Sequence, residues 1–324
     1  MPRNVNKDSI IARPGPADYQ KLSSAGFATP TDPLDVGAIS LDTDTGDKWE
    51  WTGSVWVPTH RAGKQEVIAR DYYNAVREGL IPGHTLEDKF GSAVNIGTSF
   101  VPVSTSQTYQ TYTTAQALEI VSNDNTNDIP AGSGARSVTI IGLDGSWDLQ
   151  SETVALNGTT AVNLVNSYTR IFRLYVASSG TYATTATPSH NSIITVRDQA
   201  TSTVIWGQII QDPGATMGLG QSEIGCVSIP DGYIARLMSR SINIESTKSA
   251  HVIFFVREGA DNTSAPYSPM LAKYVRRGMA NNIESQFKAE ILQITGPADF
   301  GFMARAVTGT TSIEVDFQYI LEAA

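Results

Sequence analysis

The stretch ARSVTIIGLDGSWDLQSETVALNGTTAVNLVNSYTRIFRLYV, residues 135–176, limits what this chain can fold into more than any other. Val138, Ile140 and Ile141 form a short β-rich run, and a second run lies at residues 152–156. Asp144-Gly145 and Asn157-Gly158 flank that second run and tolerate the positive φ that two-residue hairpin turns require. Tyr168, Arg170, Phe172, Leu174 and Val176 then alternate with Thr169, Ile171, Arg173 and Tyr175. A period of two puts successive side chains on opposite faces of a strand, and no helical period fits as well. The stretch therefore reads as a β-meander.

The same grammar continues to the C-terminus. Residues 118–121 open the β-rich part, and residues 123–134 form a polar loop with an Asn/Asp run. Strands are expected at 193–197, 204–210, 226–229, 233–245, 285–294 and 300–307, with Pro230-Asp231-Gly232 as a turn. Residues 250–257 are so continuously apolar that they suit a strand covered on both faces. Residues 266–279 read as irregular. The last strand alternates most cleanly, Ile313, Val315, Phe317, Tyr319 and Leu321 against Glu314, Asp316, Gln318 and Glu322, broken only by Ile320. Roughly a dozen strands with turns every ~8–12 residues describe a sandwich or jelly roll.

The N-terminal part differs. Pro2, Pro14, Pro16, Pro30 and Pro33 mark an extended arm, ordered by a neighbouring subunit or left as a loose tail. Residues 37–60 form a compact unit of three short strands carrying Trp49, Trp51 and Trp56. A unit so small cannot bury three indoles by itself, so these residues are expected to dock on a partner surface. Asp42, Asp44 and Asp47 suggest a calcium loop, but Gly46 stands fifth and Gly53 twelfth, and an Asx-stabilised turn fits better. Residues 65–80 carry Ile68, Tyr72, Ala75 and Val76 at helical spacing, with Gly79 as C-cap and Pro82 as a stop. A further helical turn is expected at 85–90 and an extended linker or edge strand at 91–113. The reading is a mainly β chain: an arm and Trp-rich hairpin unit over 1–64, a helical connector and linker over 65–114, and an antiparallel, jelly-roll-like β-sandwich over 115–324.

Charged residues are only 17% of the 324 and the net charge is −9, with no basic cluster beyond Arg276-Arg277. That balance disfavours nucleic acid and anionic lipid as partners. No apolar run suits a membrane span, and the N-terminus lacks an apolar signal core, so synthesis and folding in a reducing cytoplasm are expected. The single cysteine, Cys226, has apolar neighbours and reads as buried and inert. His60, His84, His190 and His251 show no metal-ligand spacing, GxSxG is absent, and the GLG at residues 218–220 follows no strand-to-helix junction. No cofactor and no metal are expected. Asp299, Glu314 and Asp316 are the carboxylates open to a paired, glycosidase-like role, although Glu314 and Asp316 fall on the wet side of their strand.

IPAGSGARSVTIIGLDGSWDLQSETVALNGTTAV followed by YTRIFRLYVASSGT resembles a recurrent β-module of tailed-bacteriophage structural proteins, seen often in marine phages. VSIPDGYIARLMSRSINI with SAHVIFFVRE is similar to the second half of that module, so the likeness covers about residues 115–324. SLDTDTGDKWEWTGSVWV is similar to short hairpin elements of phage tail and fibre proteins. The resemblance implies a non-enzymatic virion protein, assembled in the host bacterial cytoplasm, with capsid, portal/adaptor or tail proteins as partners. It implies self-association, as a trimer, and admits contact with a host-surface glycan. Two placements stay open, a tail or neck fibre or spike and a head-decoration (cement) protein; a carbohydrate-active enzyme is the third reading.

Overall fold

The computed structural model describes residues 20–21, 39–42, 48–51, 56–60, 72–184, 186–211, 218–280 and 284–324. It divides into two compact units, Met1–Ile81 and Pro82–Ala324.

In the first unit, β1 (Gln20–Lys21) pairs parallel to β2 (Ile39–Asp42), followed antiparallel by β3 (Lys48–Trp51) and β4 (Trp56–His60). The three expected strands are present, and the register sets Trp51 opposite Trp56. The rest of the arm and the Asp44–Asp47 turn lie outside the described residues, as does the start of the expected helix. Its end is α1 (Tyr72–Arg77). Gly79, at φ 72°, closes it: its N–H donates to Val76 O and that of Leu80 to Ala75 O, each at 2.9 Å. This is the Schellman pattern, which glycine permits because a left-handed residue is needed there.

The second unit contains, in chain order, β5 (His84–Ile96), β6 (Val101–Pro102), β7 (Gln116–Ser122), β8 (Ala135–Leu143), β9 (Leu149–Ala155), β10 (Val162–Tyr168), β11 (Arg170–Ser179), β12 (Ile194–Asp198), β13 (Ile205–Ile209), β14 (Cys226–Ile229), β15 (Tyr233–Ile244), β16 (Ser249–Glu258), β17 (Leu271–Ala280), β18 (Glu284–Thr295), β19 (Ala298–Ala306) and β20 (Thr311–Ala323). All its pairings between named strands are antiparallel. One sheet has the order β18-β15-β20-β5 and a second β14-β19-β16-β17, with β6 also on β19. That order, with first and last strands side by side, is the winding of a jelly roll. Its core gathers Phe254, Phe300, Phe302, Phe317 and Tyr319, whose rings stand 5.0 to 6.2 Å apart in tilted and edge contacts.

The apolar side chains of residues 115–324 form two large cores and a small third cluster of Ile224, Cys226 and Phe255. Between β6 and β14 the chain builds a second sandwich, from sheets β10-β7-β12-β13 and β11-β8-β9, around Ile140, Tyr168, Leu174, Val196 and Trp206. Tyr112 stacks on Trp206 at 5.1 Å. The expected meander is thereby corrected. Paired strands β8 and β9 are joined by residues 144–148, a longer loop than the two-residue turn expected, with the positive φ (66°) at Trp147 and not at Asp144 or Gly145. Asn157-Gly158, however, is a corner between sheets: Gly158 has φ 61°, its N–H donates to Asp128 O, and its carbonyl accepts from Ser122 N. The chain crosses back at Thr169, between β10 in one sheet and β11 in the other. Residues 168–172 are all buried, which is why their alternation says little about which way they face.

Two further expectations change. Residues 85–90 are strand, not helix, and β5 takes up the first part of the expected linker. Its buried positions are Lys89, Gly91, Ala93 and Ile96, the first three too small or too polar to spell an apolar stripe. Residues 271–280, read as irregular, are edge strand β17, whose neighbour covers one side only and whose side chains are mostly exposed.

The two sheets of the jelly roll nearly touch where the insert begins and ends. A Cβ added to Gly91 would stand 2.2 Å from Gly225 N and 2.5 Å from Val103 O. Backbone cannot yield as a flexible side chain does. Gly91→Ala is expected to lower stability by ~1–3 kcal/mol. Gly97→Ala, with no atom within 4 Å of the new methyl, should stay within ~0.5 kcal/mol of the parent. Equilibrium urea unfolding of both variants checks the contrast.

Candidate functional site

The most heavily engineered polar site is the seam between the sandwiches. Thr169 follows β10; its N–H donates to Leu143 O at 2.8 Å and its hydroxyl to Asp144 O at 2.8 Å. This anchors the crossing and places Arg170 at the start of β11. Arg170 forms a two-pronged pair with Asp299 of β19, Nε to Oδ1 at 2.9 Å and Nη2 to Oδ2 at 3.0 Å. Both side chains are almost dry, 2% and 4% exposed. Nη1 donates to Tyr112 O at 2.7 Å and Thr169 O at 3.0 Å, and the guanidinium lies 4.7 Å from the Trp147 ring centre. Ser228 donates to Asp299 Oδ1 and is joined to the Tyr109 hydroxyl at 2.7 Å. Burial, the Asp299 charge and related contacts hold the Tyr109 phenol well above its ordinary pKa. Each polar atom of the charged pair thus has a partner, the condition under which burying charge is tolerable.

A second contact joins β5 to β11. Lys89 donates through Nζ to Phe172 O, and Arg173 donates to Asp88 O and stands 3.7 Å from Glu87. Lys89 is 5% exposed. Burial first, then the Arg173 charge, brings its ammonium down from the ordinary 10.5 to about 7. Beside these residues a cleft of about 410 Å³ opens, lined by Glu87, Leu149, Phe172, Arg173, Tyr175 and Tyr319 among others. Among the described residues Glu87 is the one carboxylate in that lining. Hydrolysis of a glycosidic bond by the usual carboxylate pair would need a second.

Of the carboxylates singled out in the sequence, Asp299 is kept apart from Glu314 and Asp316, which share one face of β20. Asp299 is locked in the Arg170 pair, in one sheet of the jelly roll, whereas Glu314 and Asp316 are exposed on β20 in the other. Cys226 is buried among Ile224 and Phe255, and burial pushes its thiol up to about 12, so the thiolate needed for reactivity does not form near neutral pH. His190 is buried with Nδ1 2.7 Å from Ser192 O, and His84 pairs at 3.7 Å with Glu322. Trp49 and Trp51 fall on β3 and Trp56 on β4. Among the described residues no group of three or more His, Cys, Asp or Glu could hold a metal ion, and no helix is long and apolar enough to cross a membrane.

The Arg170–Asp299 pair and the buried Lys89 escaped sequence reasoning. One sign was available: Arg170 stands in an otherwise apolar row with Tyr168, Phe172 and Leu174. A charge at such a position demands a buried partner. Nothing in the sequence tells that the partner lies 129 residues away.

No protein-family model matches the chain, and no curated protein matches it. Among solved structures, that of infectious bursal disease virus Gx strain is 11% identical, with 74% of this chain and 77% of that chain covered and a TM-score of 0.20. The VP2 subviral particle of the same virus is 12% identical, with 74% and 77% covered and a TM-score of 0.13. Likeness at these scores carries no argument about fold or function.

Arg170→Met strands Asp299 without its counter-charge and is expected to cost ~3–5 kcal/mol in urea unfolding. A loss below ~1 kcal/mol would show that the pair does not hold the seam. For Lys89 the folded state has the lower pKa. Below about pH 7 both states carry the proton, and above it only the unfolded chain does. Stability should therefore climb from about pH 7 to 9, and Lys89→Met should remove that part of the slope; unfolding midpoints across this range test it.

Proposed function

We propose that this chain is a non-enzymatic structural component of a virion. The observation that carries the reading is the architecture: a jelly-roll body interrupted within one edge by a second sandwich, the two joined by the dry Arg170–Asp299 pair. A jointed active site gains from movement between its parts, whereas this seam resists it. The cleft beside it offers one carboxylate, and Cys226 is held as a neutral thiol. The phage-like sequence pattern, low charge content and a surface of hydroxyls and amides fit a subunit designed to pack against others.

In this reading residues 1–64 anchor the chain to a neighbouring virion protein, with Trp49, Trp51 and Trp56 as the docking side chains, and residues 65–81 connect the anchor to the body. The second sandwich is the projecting part, which favours an appendage on tail or neck, with a host-surface glycan as one candidate contact. The alternative placement, decoration of the head, is favoured by the absence of a long repetitive shaft in the sequence. Antibodies against the second sandwich, imaged on intact particles, separate the two: label at one vertex supports the appendage, and label over the head supports decoration. Particles without label refute the virion reading. Deleting residues 1–64 is expected to leave a soluble protein that no longer enters particles; if it still enters, the anchor assignment fails.

A further inference from the structure

The cleft between the jelly roll and the second sandwich holds three polar side chains whose hydrogen-bonding capacity the fold leaves unused. Glu87 of β5 stands opposite Tyr319 of β20 in register, so the two side chains leave their sheet on one face. Arg173 of β11 meets them from the other sandwich, with Nη2 on Asp88 O and 3.7 Å from Glu87. Its Nε and Nη1 bond no group among the described residues, and that ion pair is the one contact of the Glu87 carboxylate. Tyr319 is the most telling of the three. Its ring is 3% exposed and fixed edge-on against Phe300 at 5.6 Å, yet its hydroxyl has no hydrogen-bond partner among the described residues. Burial, then the Glu87 charge, raise the phenol well above its ordinary pKa, so it keeps its proton and stands as a donor. Buried hydroxyls are nearly always paired, and this one lines the cleft.

The rest of the lining is mostly apolar, with Phe172 deep and Tyr175 and Leu149 at the rim, 37% and 51% exposed. Glu87 and Arg173 are the charged residues of the lining, one of each sign. Lys89 is outside it, with its ammonium on Phe172 O, and the Ser228 hydroxyl is taken by Asp299 and Tyr109. This set selects its occupant. A hydrocarbon would strip water from three polar groups and return no hydrogen bond. A free anion would meet Glu87, and a free cation would meet Arg173. A neutral molecule with apolar faces and a hydroxylated edge satisfies all of them.

We infer that this cleft binds one pyranose ring of a neutral glycan, with the C–H face of the sugar on Tyr175 and its hydroxyls shared among Glu87, Arg173 and the Tyr319 hydroxyl. A pyranose is apolar on its faces and a donor and acceptor around its edge, which is the pattern of the lining. The volume of about 410 Å³ falls in the range of small-ligand sites, ~300–1,000 Å³. The open rim at Tyr175 and Leu149 lets the remainder of a glycan chain leave the cleft. A net charge of −9 disfavours a nucleic acid, the other polymer with flat units and a hydroxylated edge. Glu87 and Tyr319 belong to one sandwich and Arg173 to the other, so the Arg170–Asp299 pair that fixes the halves also fixes the spacing of these groups. A site held in place before the ligand arrives loses less on binding. This rests on the reading of the chain as a non-enzymatic virion subunit with a glycan contact, and it gives that contact a place.

Saturation-transfer NMR of the full chain with the methyl glycosides of glucose, galactose, mannose and N-acetylglucosamine is the experiment, with adenosine and guanosine as contrast. At least one glycoside should bind with a Kd of about 1–10 mM, the strength expected of so small a ligand. Tyr319→Phe keeps the ring and removes the hydroxyl, and should weaken binding about 3–10-fold. Tyr175→Ala should weaken it about 10-fold. Tyr182→Ala, which removes an exposed tyrosine outside the cleft, should leave it unchanged. Urea midpoints separate these losses from unfolding, and if Tyr319→Phe lowers its midpoint, Glu87→Gln takes its place with the same expected loss. A chain that binds no glycoside at tens of millimolar, one that takes a nucleoside and no glycoside, or binding untouched by these cleft variants overturns the assignment and leaves the virion reading to the labelling of particles. New reducing ends from a neutral oligosaccharide would instead overturn the non-enzymatic reading.

Discussion

A guanidinium and a carboxylate with almost no access to water fasten the two halves of this molecule. Transferring both charges out of water costs several kcal/mol per ion before any attraction is counted. The cost is offset only because every prong is satisfied: two to Asp299, two to backbone carbonyls, and the Trp147 ring across the guanidinium. Such a site has one good geometry. Rotating the second sandwich by a few degrees would lengthen several short bonds together and expose none of the charges to compensating water. An apolar seam could slide, whereas this one sets an orientation.

The chain threading makes that fixed orientation inexpensive. The second sandwich leaves the jelly roll after β6 and returns at β14, and both strands lie on β19, Pro102 against Met303 and Cys226 against Gly301. Val103 O accepts a bond from Gly225 N at 2.8 Å, so the two ends of the insertion touch. For the jelly roll the insertion is a closed loop whose ends already meet, and the entropy of joining them grows only slowly with what lies between. The glycine at 91 and those at 225 and 301 are what allow three strands to approach so closely there.

The strands were legible wherever one face was dry and the other wet. In β20, Ile313, Val315, Phe317 and Tyr319 face the core and Glu314 and Asp316 face water, so period alone identifies the strand. It was much less informative where both faces or neither face are covered. In β5 the inward residues are Lys89, Gly91 and Ala93, and in β17 the outward ones dominate, so both lose their apolar stripe. At Asn157-Gly158 only the glycine takes the expected positive φ, and such a dipeptide serves a hairpin and a sheet-to-sheet corner alike. Which one forms depends on partners far along the chain, here the Asp128 carbonyl and Ser122 amide. The second core could not be counted from the sequence for the same reason: Leu143, Trp147 and Phe172 join the jelly-roll core, while Ile140 and Leu174 join the other.

Those last residues show why the stretch that most constrains the sequence also organises the fold. Sheet β11-β8-β9 contributes to both cores, so it is packed on both sides near Thr169. A layer covered on both sides has no solvent into which a polar side chain can turn, and each one must be matched inside. Arg170 and Lys89 are matched across the seam, to Asp299 and to Phe172 O. The same shortage of water that raises the cost of these charges raises the strength of their contacts. Polar residues at the seam therefore specify the arrangement of the halves, while the apolar cores on either side provide the stability.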